Sequence, residues 1–314
     1  MPFKPAQLRY FVTVAEEGQV TSAAKRLEIA QPALSQAISQ LESELGLQLL
    51  ERHSRGVRLT PDGESFLPKA RIAVETAHDA EREALSLARR ASGTVEVGFV
   101  GPPPTISAPD LFAEFRRIHP DAELSFRDLP FPRGTTRSWL EEVDVAYCHQ
   151  PDLEPGIRTQ RVRFEPRAIV AHTTHPLAKE AEAELRLDAV LDQTFIGYHP
   201  DVQPSWAAFH SLDDHRGGPP RAITAGHAST SLQMLGIMST GAAITAVPAC
   251  DAKIAHDALP DLIVFPLRDA APAVLSLVCP SEGSHPLADA LLNVAASVAA
   301  SEPERELLDG KGRH

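Results

Sequence analysis

Gln31 and Gln36 stand five positions apart in the run QPALSQ, with Pro32, Ala33 and Ser35 among the residues between them. Further along, Arg52, Arg55 and Arg58 recur at every third position. A carboxamide donates and accepts at once, so it can pair bidentately with the edge of adenine, a contact worth ~1–3 kcal/mol of discrimination between bases. Proline and alanine offer apolar contact to a thymine methyl. Guanidinium groups suit phosphate oxygens or a narrow minor groove, where they position a protein without specifying sequence. The set is equipped to occupy a nucleic-acid groove, not to make or break bonds.

Such residues need a helix tip and an arm to carry them. Leu8, Phe11, Val12 and Ala15 repeat at helical spacing over residues 5–17, and Gly18 supplies a stop. Thr21 can cap a second helix with Ala23, Ala24 and Leu27 facing inward. Gln31-Pro32 opens a third, because proline at the first helical position lacks an N–H that has no helical partner there. Leu34, Ile38, Leu41 and Leu45 form its apolar stripe, and Gly46 ends it. ERHSRGVRL then reads as a basic hairpin that reverses at Gly56. Two short helices across a tight turn, followed by a cationic arm, give the geometry with which a winged helix-turn-helix docks on duplex DNA.

Bulk charge gives that reading no help. The 314-residue chain carries a net charge of −12, and residues 1–64 hold seven basic and eight acidic side chains. Counterion release depends on cations at the phosphates, so placement decides: three arginines share one arm, while Glu42 and Glu44 fall late in the third helix. The length suits two or three compact units. No stretch is apolar for long enough to span a bilayer, and MPFKPAQLRY lacks the pattern of a secretory signal. Cys148, Cys250 and Cys279 are far apart, a sparse odd set that fits a reducing cytoplasm. Their apolar, strand-like surroundings favour buried packing thiols over a redox pair.

Thr60-Pro61 opens a longer helix, along which Phe66, Ala70, Ala73, Ala77, Ala80, Ala84 and Leu87 make an apolar stripe of about six turns. A second copy of the same helix, parallel or antiparallel, is the economical cover and makes a homodimer. Packing on the chain's own downstream domain is the alternative. Ser92-Gly93 marks a boundary. Beyond it β runs alternate with helices at 95–100, 122–129, 143–148, 167–172, 194–198, 222–226, 242–248, 262–267 and 274–279. That alternation predicts doubly wound α/β layers, and nine strands make about two sheets of ~5–6 strands. Residues 302–314 read as a solvated tail.

LRYFVTVAEEG, TSAAKRL, QPALSQAISQLESELG, LLERHSRGVRLT and PDGE cover residues 8–64 almost without a gap, and together they resemble the LysR-type transcriptional regulators. VEVGF, HPLA (175–178) and GAAITAVP (241–248) continue the likeness more loosely. The resemblance implies a multidomain α+β and α/β chain: a winged helix-turn-helix at 1–61, a linker and dimerisation helix at 62–92, and a two-lobed, periplasmic-binding-protein-like effector domain at 93–301. Lobe I would comprise 93–163 and 268–300, lobe II 164–267, with crossovers near Arg161–Phe164 and Pro266–Arg268. Also implied are a homodimer through the linker helix, a homotetramer, a double-stranded operator with an imperfect inverted repeat, and a small-molecule effector. Thr21, Gln31, Pro32, Ala33, Ser35, Gln36, Arg52, Arg55 and Arg58 become the candidate DNA contacts. Many family members have arginine where Gln36 stands, so a different preferred sequence is expected; Ser35 has the alternative of bonding its own helix backbone.

In a two-lobed α/β domain a ligand lies between the lobes, outside strand ends. Those loops nominate Thr105, Ser107, Phe131, Tyr198, His199, Trp206, His227 and Thr245. Helix N-termini offer N–H groups to anions, but Pro102, Pro103 and Pro104 have none to give, which points to a less acidic or bulkier effector. His149, His172, His175, His199, His210, His215 and His227 crowd the middle of the chain without metal-ligand spacing, so no metal is expected. No nucleophile elbow, phosphate loop or cofactor motif organises an enzyme. A solute-binding protein would share the second architecture but not the DNA-binding segment. The sequence therefore implies a cytoplasmic, cofactor-free regulator rather than a catalyst.

Overall fold

The computed structural model describes residues 3–53, 56–149, 151–180 and 184–301. Arg55 and the expected tail at 302–314 lie outside them. The chain forms two compact units, residues 1–85 and 86–314.

The first unit begins with α1 (Pro5–Glu17), α2 (Val20–Arg26) and α3 (Gln31–Leu45), followed by the hairpin of β1 (Leu50–His53) and β2 (Gly56–Leu59) and the start of α4 (Pro61–Ser92). Phe11, Val14, Ala23, Leu34, Leu41 and Leu49 are buried at its centre, so the stripes of three helices converge. Gly18 and Gly46 end α1 and α3 in the left-handed conformation, at φ 63° and 67°. The cap expected at Thr21 is corrected: α2 starts two residues earlier than that cap requires, Gln19 occupies the cap position, and no side chain bonds there. Thr60 caps α4, accepting a hydrogen bond from Gly63 N at 3.0 Å while donating to Gln48 O at 2.6 Å. Glu42 is more than a distant carboxylate. Its Oε1 accepts the backbone N–H groups of Leu49 and Leu50, at 2.8 and 3.0 Å, and so ties the chain entering the hairpin to α3.

The second unit contains β3 (Thr94–Phe99), β4 (Glu123–Asp128), β5 (Val145–His149), β6 (Ile157–Glu165), β7 (Arg167–His172), β8 (Phe195–Tyr198), β9 (Ile223–Ala228), β10 (Thr245–Pro248), β11 (Leu262–Pro266) and β12 (Ala273–Pro280). Its helices are α5 (Pro104–Ser107), α6 (Pro109–Ile118), α7 (Arg137–Leu140), α8 (Leu177–Glu180), α9 (Leu187–Val190), α10 (Pro204–His210), α11 (Asp213–Arg216), α12 (Ser231–Met238), α13 (Ala249–Ala258) and α14 (Pro286–Ser301). One lobe is the sheet β4-β3-β5-β12-β6, with α6 and α14 packed on its core. The other is the sheet β10-β7-β11, extended by β8-β9 through the bridge Phe195↔Ile244.

The nine expected strands are present, and β6 is a tenth. It stays paired with β12 as far as Glu165↔Ala273, so the first passage between lobes falls at Pro166, beyond the Arg161–Phe164 crossover expected from sequence. The return falls between Arg268, whose N–H still bonds Leu185 O, and Ala273. The segment joining α4 to β3 is fixed by ions. Arg89 forks onto Asp144 at 2.8 and 3.0 Å and reaches Glu96 at 3.2 Å, while Asp144 Oδ2 also accepts Glu96 N at 2.9 Å.

Candidate nucleic-acid interface and ligand cavity

At the leading end of α3, Gln31, Pro32, Ala33 and Gln36 are exposed and Ser35 is half-buried. The Ser35 hydroxyl makes no hydrogen bond among the described residues, so the backbone-bonding alternative has no support here. Thr21, Gln31 and Arg52 line a single shallow depression together with Gln19, His53, Gly56 and Val57. Gln36 and Arg58 lie outside that depression. Gln19 and His53 join it because β1 and β2 fold back against the corner between α1 and α2, where Val57 N donates to Gly18 O at 2.8 Å. Sequence alone carries no trace of that docking. Arg52 and Arg58 have no ion-pair partner among the described residues, whereas Arg26 is held by Glu16 and Glu17, both at 3.1 Å. The two hairpin arginines are therefore available to an outside anion, and Arg26 is spent on joining α1 to α2.

A cavity of about 290 Å³ opens between the lobes of the second unit. Of the nominated residues, Phe131, Trp206 and Thr245 form part of its wall. Tyr198 stands behind them, 5.8 Å from Phe131 ring to ring. Thr245 Oγ1 donates to His210 O at 3.4 Å, which leaves it to accept from Tyr198 Oη at 3.3 Å. Thr105, Ser107, His199 and His227 are not in the wall: Ser107 is buried at the end of α5, while His199 and His227 are exposed at strand ends. No group of three His, Cys, Asp or Glu side chains among the described residues could hold a metal.

His149 and His210 were visible in the sequence only as members of a histidine crowd, yet both line the cavity. His149 stacks on Trp206 at 4.1 Å and meets His210 Nε2 to Nε2 at 3.2 Å. Burial pushes both imidazoles down, His210 to about 4, and the nearby Arg167 adds to the effect. Arg167 is itself buried, forked onto Asp214 at 3.1 and 2.7 Å and laid over Phe209 at 4.0 Å. Met234, Leu235 and Met238 of α12 and Ile254 and Ala255 of α13 complete an apolar wall that strand-end reasoning had overlooked. Asp251 enters it from the first turn of α13, and burial raises its carboxyl to about 7.

Residues 5–64 match the model of the bacterial regulatory helix-turn-helix proteins of the lysR family, and residues 88–300 match the LysR substrate binding domain. The chain belongs to the LysR family of transcriptional regulators. It is 30% identical over 290 residues to the HTH-type transcriptional regulator TfdS of Cupriavidus pinatubonensis, covering 92% of this chain and 96% of that one. Identity to BenM of Acinetobacter baylyi is 29% over 252 residues, 79% of this chain and 81% of the relative. Among solved LysR-family structures, CbnR superposes with a TM-score of 0.57 at 25% identity, over 95% of this chain and 99% of that one. CbnR complexed with its target DNA gives 0.50 at 25% identity, over 94% and 99%. Full-length BenM gives 0.51 at 27% identity, over 96% and 100%. The family is one of regulators rather than enzymes, with a DNA-binding helix-turn-helix and an effector-binding domain.

Proposed function

We propose that this LysR-family regulator grips its operator with α3 and the hairpin, and that a small molecule held between the lobes modulates the grip. The observation that carries the reading is the gathering of Thr21, Gln31 and Arg52 on one open surface at the α3 tip, with Arg52 and Arg58 having no ion-pair partner among the described residues. Gln31, Pro32, Ala33 and Gln36 face the base edges with Ser35 beside them; Arg52, Arg55 and Arg58 meet phosphates or the minor groove, and Thr21 the backbone. That CbnR has been captured with its target DNA supports a duplex partner here.

The working division is a DNA-binding domain at 1–61, a linker helix at 62–92 and an effector domain at 93–301. Ala73, Ala80, Ala84 and Leu87 of α4 are exposed in the single chain, which favours a homodimer through this helix and, by pairing of dimers, a homotetramer. A two-fold assembly calls for an imperfect inverted repeat in the operator. No helix among the described residues is long and apolar enough to cross a membrane; the place of action is the cytoplasm, where the DNA is. The effector occupies the interlobe cavity against Phe131, Trp206 and Thr245. Its binding favours one angle between lobes, which respaces the DNA-binding pairs of the assembly. Gel retardation and footprinting on the upstream region, with and without a metabolite panel, test the reading. Equal affinity for promoter and random duplex would end it.

A further inference from the structure

The cavity offers an anion no cationic partner among the described residues. Its wall contains no arginine or lysine among the described residues, and the two imidazoles in it are paired and neutral. Several of the backbone N–H groups that helix N-termini commonly lend to carboxylates are missing or taken. At α5 they are replaced by Pro103 and Pro104. At α12 the Thr230 hydroxyl accepts from Gln233 N at 3.2 Å, and Gln233 Oε1 accepts from Ser229 N at 2.8 Å. At α13, Ala249 N donates to Pro166 O and Cys250 N to Glu165 Oε1, at 2.8 and 2.9 Å.

What the wall does offer is a carboxyl group and rings. Asp251 Oδ1 accepts the Cys250 thiol at 3.3 Å, while Oδ2 lies toward Gly101 on the facing lobe, within 3.7 Å of where a side chain there would begin. Phe131 and Trp206 sit 5.8 Å apart at a 40° tilt, and Met234 and Met238 add polarizable thioethers that favour ring edges. At about 290 Å³ the space is at the small end of ligand pockets, which run from ~300 Å³ upward.

We propose, resting on the reading of this cavity as the effector site, that the effector is a small aromatic molecule carrying a hydrogen-bond donor and no carboxylate, anchored by that donor on Asp251 Oδ2. A carboxylate ligand would be placed against a like-charged oxygen with no cation in the wall, among the described residues, to offset its lost hydration. A phenolic, anilinic or indolic group gives the carboxylate a proton to accept and fills the rest of the space with ring.

Calorimetric titration of the full-length protein at pH 8 with phenol, indole, toluene and benzoate tests this. Phenol or indole binding at least about tenfold more tightly than toluene, and toluene more tightly than benzoate, is the expected order. In Asp251→Asn the advantage of phenol over toluene shrinks and benzoate gains. Benzoate binding as tightly as phenol overturns the assignment of charge while leaving the cavity as the effector site. Ala258→Trp, which narrows the exposed rim, distinguishes the other failure: probes that bind it undiminished, or no probe binding at all, remove the cavity from the reading and the proposal with it.

Discussion

His210 gives its Nδ1 proton to the Ala246 carbonyl at 2.7 Å and turns Nε2 toward His149 Nε2 at 3.2 Å. A carbonyl only accepts, so the neutral His210 ring has a bare Nε2, and His149 must supply the proton between them. One tautomer is thereby set for each ring, and a second proton on either would place a charge inside an apolar wall. The pair thus holds β5 of one lobe against α10 of the other without adding charge to the cavity.

That neutrality has a pH signature. Histidine in the unfolded chain titrates near 6.5, so the stability tied to the neutral pair is complete above that value. It is lost as pH falls from 6.5 toward the folded value of about 4 for His210, because only the unfolded chain takes up protons in that window. Asp251 works the other way. Its folded value of about 7 lies above the usual 3.8, so its acid form adds stability as pH falls through 7. His149 is held down as well, so the two histidines outweigh the one carboxyl and wild type loses stability as pH falls from 6.5 to 4.5, with Asp251 blunting the loss. Urea denaturation should show Asp251→Asn losing ~2–3 kcal/mol more than wild type over that interval, and His210→Gln losing less. Parallel curves for all three proteins would contradict the balance.

Gly56 should tolerate no side chain. Its φ is +139°, and a Cβ there would sit 2.3 Å from the Gly18 carbonyl, the group that anchors Val57. Gly56→Ala is expected to cost ~1–3 kcal/mol through backbone strain and to lift the hairpin from the α1–α2 corner. DNA affinity should fall more steeply than global stability, measured by retardation beside thermal melting.

Base reading and phosphate binding separate by salt and sequence. Gln31→Ala should weaken operator binding by ~1–3 kcal/mol and random-duplex binding far less. Arg52→Ala should weaken both alike and reduce the slope of log affinity against log salt by about one. Equal losses on cognate and random duplexes for Gln31→Ala would reject its role at a base edge.

How much of this was legible depends on whether a feature is local. Gly18, Gly46 and the Thr60 cap follow from turn chemistry within a few residues, and each stands where the sequence puts it. β6 escaped because IRTQRVRFE is dominated by arginine and other polar residues, with only Ile157, Val162 and Phe164 apolar, and its place beside β12 is fixed by pairing more than a hundred residues away. Phe131, Trp206 and Thr245 were found from the general position of strand-end loops. His149, Met238 and Asp251 were not, since each reaches the cavity from within a strand or helix whose facing direction is decided by lobe packing. The Thr21 cap failed for a simpler reason: the left-handed turn at Gly18 lets α2 begin at Val20.

The ion cluster under the end of α4 offers a stability test within the second unit. The Asp144 side chain is 3% exposed and takes both arms of Arg89 along with Glu96 N. Asp144→Ala leaves Arg89 with Glu96 alone and a backbone N–H without its acceptor in a buried setting, a loss of ~3–5 kcal/mol. Asp144→Asn, which keeps an oxygen for the N–H, should lose less. Denaturant midpoints that fall equally for both would show that charge, rather than acceptor geometry, dominates.

Ala73, Ala80 and Leu87 recur at seven-residue intervals and so lie along one line of α4, with Ile72, 55% exposed, beside it. A second copy of this helix would bury that line at close approach because its central residues are alanine. Ala80→Glu puts a carboxylate there without touching the interior of the chain, since Ala80 is exposed, and glutamate is a good helix former. Light scattering should find the variant monomeric at concentrations where wild type is dimeric or larger, with helicity unchanged. Operator affinity should then drop by orders of magnitude, because one half-site alone must carry the contacts that two shared. A variant that stays dimeric would place the self-association surface elsewhere on the molecule.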